Sequence, residues 1–250
     1  MLEYTSYGMS LPEAYHEALL CLYKCGDVVN CPDYNTTQKE LSMTMKVAEP
    51  LAEPMISKMI PCGPRELMQY EMEMLDGILD FEVEKGNWSY TYHQRMAVQF
   101  GFIISELTRN PDSRRACIVV RDKEADMDST DPACLQHIQY FIRDGKLHCK
   151  VLFRSNDAVK ATFMNAYALI RLQQQFARAL GVEMGTYVHR ANSFHVYERD
   201  FDLLESYVAR KLMADVSGEE LAYDYEGDWD ELMLHEVPGI LADVEKLKER

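Results

Sequence analysis

The sequence predicts an α+β fold, with several helices packed on a mixed or mostly antiparallel sheet. Apolar residues recur at helical spacing in several separate stretches. At the centre of the chain an Asp144-Gly145 step joins two strand-like arms, and on the second arm Leu147, Cys149, Val151 and Phe153 alternate with polar residues. No repeat, linker or low-complexity stretch divides the 250 residues, and their 47% hydrophobic content suffices for a core. One domain over 1–250 is therefore expected, with 215–250 as an acidic extension.

Ser10-Leu11-Pro12-Glu13 is a capping pattern with proline in the first turn, followed by Ala14, Ala18, Leu19 and Leu22 up to Gly26. The first helix is expected over 11–25. Residues 27–64, rich in Pro, Asn and Thr, read as irregular with one imperfectly alternating strand at 41–47. Methionines and leucines at helical spacing predict a helix over 66–79, and 94–108, stopping before Asn110-Pro111, predicts another. The apolar run 116–120 suits a buried strand, and the hairpin arms fall at 136–142 and 146–154. A long helix is expected over 165–180, apolar at Leu169, Leu172, Phe176 and Leu180 and ended by Gly181. A strand at 187–197 and helices at 202–213 and 237–248 complete the order.

The formal net charge of −15 argues against a sequence-independent grip on nucleic acid, which needs a basic surface to release counterions. A small phosphorylated ligand remains compatible, because a few arginines can hold one phosphate; Ser113-Arg114-Arg115 and Arg154-Ser155 are the candidates. Seven cysteines form no CxxC pair and no Cys/His cluster at zinc spacing, so no metal site is expected and most thiols read as small buried hydrophobes. Met1-Leu2-Glu3 begins no signal peptide and no apolar run approaches the ~20 residues that span a bilayer, so a cytoplasmic protein without membrane partners is expected.

Cys134 stands apart. It follows Asp131-Pro132 at the mouth of a predicted strand, where a side chain can be held rigidly and still face a cavity. A thiol attacks as thiolate, so cationic neighbours that lower its pKa would activate it, and Arg154 at the end of the adjacent arm is one candidate. Alone, such a cysteine is more often structural. Arg114 and Arg115 equally suit a solvated charged pair, Asn165 a helix cap, and His195 and Tyr197, on one face of a strand, a packed core pair.

Taken together, Pro132-Ala133-Cys134-Leu135-Gln136, Ile142-Arg143-Asp144-Gly145-Lys146-Leu147, Arg154-Ser155-Asn156-Asp157, Asn165-Ala166-Tyr167-Ala168-Leu169 and His195-Val196-Tyr197 resemble the core of the thymidylate synthase family, and in particular its archaeal branch. Upstream, Ser113-Arg114-Arg115 and Tyr90-Thr91-Tyr92 are similar to two further family segments. The resemblance is dense from about 90 to 200 and weak elsewhere.

The resemblance implies a sheet-to-sheet homodimer and a one-carbon transfer to C5 of a pyrimidine deoxynucleotide from 5,10-methylenetetrahydrofolate. Cys134 would add to C6, with Tyr92 and an early-helix glutamate, Glu66 or less directly Glu71, in the catalytic set. Arg154 and Ser155 would hold the 5′-phosphate, joined by Arg114 and Arg115 of the partner subunit. Asn165 would read O4 and N3 of uracil, since a carboxamide can donate to one and accept from the other. His195 and Tyr197 would take the sugar 3′-hydroxyl, and Asp157 the folate ring.

Several positions depart from the family pattern. Lys160 is unexpected, Arg121-Asp122 replaces a tryptophan-containing pair, His93 replaces a glycine, and the helix of Glu66 lacks its tryptophan. The carboxy terminus is not the apolar tail of bacterial members. A site open to water would end in hydration, so a deoxyuridylate or cytidylate hydroxymethylase is the alternative outcome. Residues 215–250, with Tyr223, Tyr225 and Trp229 among carboxylates, are expected to cover the folate cleft.

Overall fold

The computed structural model describes residues 2–249. In chain order the elements are β1 (Glu3–Gly8), α1 (Leu11–Cys25), β2 (Asp27–Cys31), β3 (Thr36–Val47), β4 (Ile56–Ser57), α2 (Pro64–Leu75), α3 (Phe81–Glu84), α4 (Tyr92–Ala97) and α5 (Phe100–Arg109). They continue as β5 (Cys117–Val119), β6 (Leu135–Arg143), β7 (Lys146–Asp157), α6 (Thr162–Leu180), β8 (Glu183–Tyr197), α7 (Phe201–Ser217), β9 (Ala222–Tyr223) and α8 (Asp230–Lys248).

Seven strands form one mixed sheet in the order β1-β3-β8-β7-β6-β5, with β2 on the first half of β3. β1–β3 and β7–β8 pair in parallel, while β3–β8, β6–β7 and β5–β6 are antiparallel. Asp144 and Gly145 both have positive φ, 53° and 74°, which is what a two-residue hairpin turn asks of them. A parallel pair cannot be closed by a tight turn. The chain from β7 to β8 instead crosses over through α6, which lies against both strands.

α1 and α6 cover one sheet face. Leu147, Cys149, Val151 and Phe153 of β7 and Tyr187, His189 and Ala191 of β8 point into that core. Gln173 of α6 is fully buried and donates its amide to the carbonyl of Leu147 at 2.7 Å, which ties helix to sheet without leaving that donor unpaired. Phe176 meets Tyr140 and Phe100 edge-on, with ring centroids 5.1 and 5.3 Å apart. On the opposite face the alternate positions, among them Phe141, Leu152 and Val188, are only half-buried.

Residues 27–64 hold more strand than their composition suggests. The polar segment 36–40 belongs to a twelve-residue strand because it is hydrogen-bonded on both sides, to β2 and to β8, so backbone pairing rather than apolar alternation fixes it. β1 has no counterpart among the expected strands. The helix expected at 66–79 stops at Leu75, where Asp76 caps it and Gly77 takes φ 65°. The 94–108 helix is two helices, broken at Val98-Gln99. α8 starts seven residues earlier than expected and runs through Pro238.

No described residue of the C-terminal segment lines the cavities beside α2 or at the ends of β7 and β8. α8 packs along the outer side of α2, where Arg65 meets Glu236 and Asp243 at 3.0 and 2.7 Å. Trp229 is buried and Tyr225 sits against Tyr167 and Arg171. No described helix is long and apolar enough to cross a membrane.

Two buried imidazoles set an acid limit on this fold. His16 of α1 bonds Ser57 Oγ at 2.6 Å, and burial, aided by Lys211, pushes its pKa from 6.5 down to about 4; burial alone takes His189 down to about 3. Each folded value lies below the unfolded one, so stability is intact above about pH 6.5 and falls as the pH drops toward the folded pKa. Between pH 7 and pH 5 His16 should cost about 2 kcal/mol. Urea denaturation of wild type and His16→Gln at the two pH values checks this: the variant should lose less stability than wild type by about that amount, and equal losses would refute it.

Candidate active site

A cleft of about 900 Å³ opens at the carboxyl ends of β7 and β8. Parallel pairing aligns Ser155 with Ser193 and Asp157 with His195, so the last residues of both strands face one space. Asp157 then turns the chain: its Oδ1 accepts the backbone N–H groups of Val159 and Lys160 at 3.0 and 2.9 Å, and α6 begins at Thr162. Asn165 lies one turn into that helix, 4% exposed, and lines the cleft. It is therefore not a helix cap.

Cys134 enters from the start of β6. Arg154 braces its loop, donating Nε to the Ala133 carbonyl at 3.2 Å and Nη2 to the Pro132 carbonyl at 2.6 Å. Tyr92 accepts the N–H of Leu135, the residue after the thiol, on its hydroxyl at 3.3 Å. The sequence-predicted Cys134, Tyr92, Arg154, Ser155, Asp157, Asn165, His195 and Tyr197 thus line one cleft.

The electrostatics correct one expectation. Burial raises the Cys134 thiol pKa above its ordinary value, and the opposing pull of Arg154 is the smaller effect. Burial thus favours the thiol over the thiolate at this position. Burial also raises the phenols of Tyr70 and Tyr92, so the cleft holds neutral hydroxyls ready to donate. His195 is 3% exposed, lowered by burial, and shares Nδ1 with Ser155 Oγ and the Ser193 carbonyl, both at 3.3 Å. Its buried Nε2 has no hydrogen-bond partner among the described residues.

Beside this cleft, sharing Tyr70, Tyr92 and Asp131 with it, lies a second cavity of about 430 Å³. Trp88, Tyr90 and Leu79 give it a flat apolar wall and Glu73 an acid, raised by burial against a weaker opposing bond from Gln69. Asp157 does not line this cavity. Arg95 lies over the Tyr90 ring at 4.1 Å and grips Asp126 with both terminal nitrogens at 2.7 and 2.8 Å; Arg121 joins that carboxylate at 3.7 Å.

Glu66 is misplaced as a catalytic acid. Its carboxylate is exposed and folds back on the N–H of Gly63 at 2.9 Å, capping α2. Glu71 faces Arg171 at 3.2 Å. The carboxylate that reaches a cavity is Glu73, seven residues on from Glu66 and so on the same face of the helix, two turns further along. Lys160 pairs with Asp200 at 2.6 Å and does not line either cavity.

Arg114 and Arg115 lie apart from the cleft of their own chain. Cys117 pairs with Gln139, so Arg114 sits roughly 17 Å or more along the sheet from Cys134 by strand rise. Both are exposed, and Arg115 holds the buried Glu106 at 2.9 Å.

A mixed sheet flanked by helices, with a thiol, a guanidinium, a carboxamide and an imidazole converging at strand ends, defines a nucleophile-bearing enzyme of α+β type. The thymidylate synthase family model matches residues 69–224, and the chain belongs to that family. It is 33% identical over 213 residues to the Methanocaldococcus jannaschii protein named "Putative thymidylate synthase", covering 79% of this chain and 93% of the relative. A protein of the same name from Methanosarcina barkeri is 26% identical over 201 residues, covering 80% and 92%. The structure resembles the thermostable thymidylate synthase A of Bacillus subtilis, with a TM-score of 0.65 at 16% identity over 80% of this chain and 84% of that one, which is a likeness of fold. The family defines a transferase that acts on deoxyuridylate and generally draws on methylenetetrahydrofolate.

Alkylation of Cys134 by iodoacetamide in nucleotide-free protein, followed by peptide mass spectrometry, tests the electrostatics. The rate should climb with pH through and beyond the ordinary thiol range near ~8.5. Arg154→Ala should slow it at any given pH, because the charge that favours thiolate is gone. A wild-type midpoint below ~7.5 would show that the guanidinium outweighs burial.

Proposed function

We propose that this protein methylates deoxyuridylate at C5, with Cys134 as the nucleophile at C6. The observation that carries the proposal is the convergence of Cys134, Arg154, Asn165 and His195 on one cleft. Arg154 and Ser155 would hold the 5′-phosphate at one end, and His195 Nε2, which lacks a partner among the described residues, and Tyr197 would take the 3′-hydroxyl at the other. The Cys134 thiol would give up its proton to water in the cleft, Sγ would bond to C6 as the C5–C6 π electrons move toward O4, and Asn165 Nδ2 would donate to the oxygen that gains charge.

The second cavity suits a flat reduced-pterin ring, because Trp88 and Tyr90 present aromatic surface beside the nucleotide cleft. Methylenetetrahydrofolate bound there supplies the one-carbon unit and the hydride. Glu73, whose carboxyl burial raises above its ordinary pKa, would manage protons at the seam between the cavities in place of Glu66. Asp157 would act at the cleft wall, with its free Oδ2 next to His195, more than at the ring. Trp88 supplies part of the shielding that α2 lacks, which favours the methyl over the hydroxymethyl product.

Arg114 and Arg115 are exposed and far from the cleft of their own chain, so the working unit would be a twofold homodimer in which they cross to the partner's cleft. The half-buried second face of the sheet, with Phe141, Leu152 and Val188, is the surface that would be shared.

Incubation with deoxyuridylate and methylenetetrahydrofolate, with mass analysis of the nucleotide, should show a gained methyl group. A hydroxymethyl group would instead establish the hydroxymethylase. Cys134→Ser should abolish product and the covalent adduct with 5-fluorodeoxyuridylate while keeping nucleotide affinity within about threefold, since the thiol acts after docking.

Mixing tests the dimer. Cys134→Ser and Arg114→Ala/Arg115→Ala proteins, each inactive alone, should after subunit exchange regain about a quarter of wild-type activity, because half the dimers then hold one intact site of two. No recovery despite exchange would refute a shared site.

A further inference from the structure

Tyr70 projects from α2 into the seam between the two cavities and lines both. Its hydroxyl donates to Oδ1 of Asn165, and that is its only hydrogen bond among the described residues. Among the described residues the Asn165 side chain has this one hydrogen bond, and none from Nδ2. The carboxamide is therefore held one way round, with its oxygen tied to the phenol and its amide group free for a ligand.

We propose that Tyr70 is a positioning residue that sets base specificity through Asn165. This rests on the nucleotide reading given above. With Oδ1 anchored, one lone pair remains to accept from a ring N–H, while Nδ2 donates to an adjacent carbonyl. That pattern fits a pyrimidine with N3–H and O4. A 4-aminopyrimidine needs the opposite order, an amide N–H toward N3 and the amide oxygen toward the 4-amino group. Turning the carboxamide over would oppose Nδ2 to the phenol and leave the hydroxyl proton without its acceptor. Nothing in the helix pattern of α2 marks Tyr70 for this task; the contact arises because α2 and α6 pack side by side.

The test is binding of deoxyuridylate and deoxycytidylate to full-length protein, without folate, for wild type and Tyr70→Phe. Wild type should prefer the uracil nucleotide, and the variant should lose about tenfold or more of that preference, with the phosphate and sugar contacts intact. An unchanged preference, or equal weakening of both nucleotides, would overturn the proposal. Should Tyr70→Phe fail to fold, 2,3,5-trifluorotyrosine at position 70 keeps the ring and lowers the phenol pKa. Uracil preference should then fade as pH rises and the phenol loses the proton it donates, at a lower pH than in wild type. A pH-independent preference there would also overturn it. If wild type binds neither nucleotide and forms no adduct with 5-fluorodeoxyuridylate, the nucleotide reading itself falls and takes this inference with it.

Discussion

The parallel pairing of β7 with β8 is the constraint on which the site depends. Antiparallel strands joined by tight turns deliver their ends alternately to opposite edges of a sheet. A parallel pair delivers both carboxyl ends to the same edge, at the expense of a long crossover. Here the crossover is α6, and it is put to use. Arg154 to Asp157 end β7, Asp157 turns the chain with its own carboxylate, Asn165 follows within one helical turn, and β8 returns to set Ser193 and His195 beside Ser155 and Asp157. Because β6 runs antiparallel to β7, its first residues lie at the same edge, and Cys134 arrives there without further design.

Within that frame the chemistry is a contest between burial and charge. The cleft withdraws its thiol and phenols from water, which favours their neutral forms, and the one guanidinium beside Cys134 is spent partly on the carbonyls of its own loop. Arg154 is thus as much a brace as a charge. Further arginines from a partner would raise the positive potential at the phosphate end, and would do so only in the assembled dimer, which would couple full activation of the thiol to assembly.

What could be read in advance follows the strength of the local signal. The hairpin was legible because two successive residues with positive φ need Asp-Gly or its like, and α6 because its apolar stripe and its Gly181 terminator agree. β3 was hidden because the polar residues 36–40 are held by pairing on both sides, and such tertiary support leaves no alternation to read. Within α2, Glu66, Tyr70 and Glu73 share one face, and periodicity does not show which turn of that face lies at a cavity, so Glu66 passed for the acid. Packing against α6 and α8 places α2 so that Tyr70 and Glu73 reach the cavities while Glu66 stays at the exposed first turn. The cleft residues on strands were legible as a set, since motif order along a chain survives even where the helix that completes the site does not match.

The support of α2 also gives the acidic C-terminal segment a physical role. The family model ends at residue 224, and α8 starts at Asp230. α8 brings Glu236 and Asp243 to Arg65 near the start of α2, and its last carbonyls, those of Leu247 and Lys248, accept from Lys85 Nζ at 2.8 and 2.6 Å. Partly exposed ion pairs of this kind are weak singly. Their effect is one of register. They pin the middle and the end of α8 to Arg65 and Lys85, which bracket the stretch that carries Tyr70 and Glu73, so the wall of the second cavity is held from outside, by residues that touch neither cleft. A displacement of α2 by a fraction of a turn would swing Tyr70 away from Asn165. The charges of the extension are thus tied to the geometry of the Asn165 carboxamide through one helix.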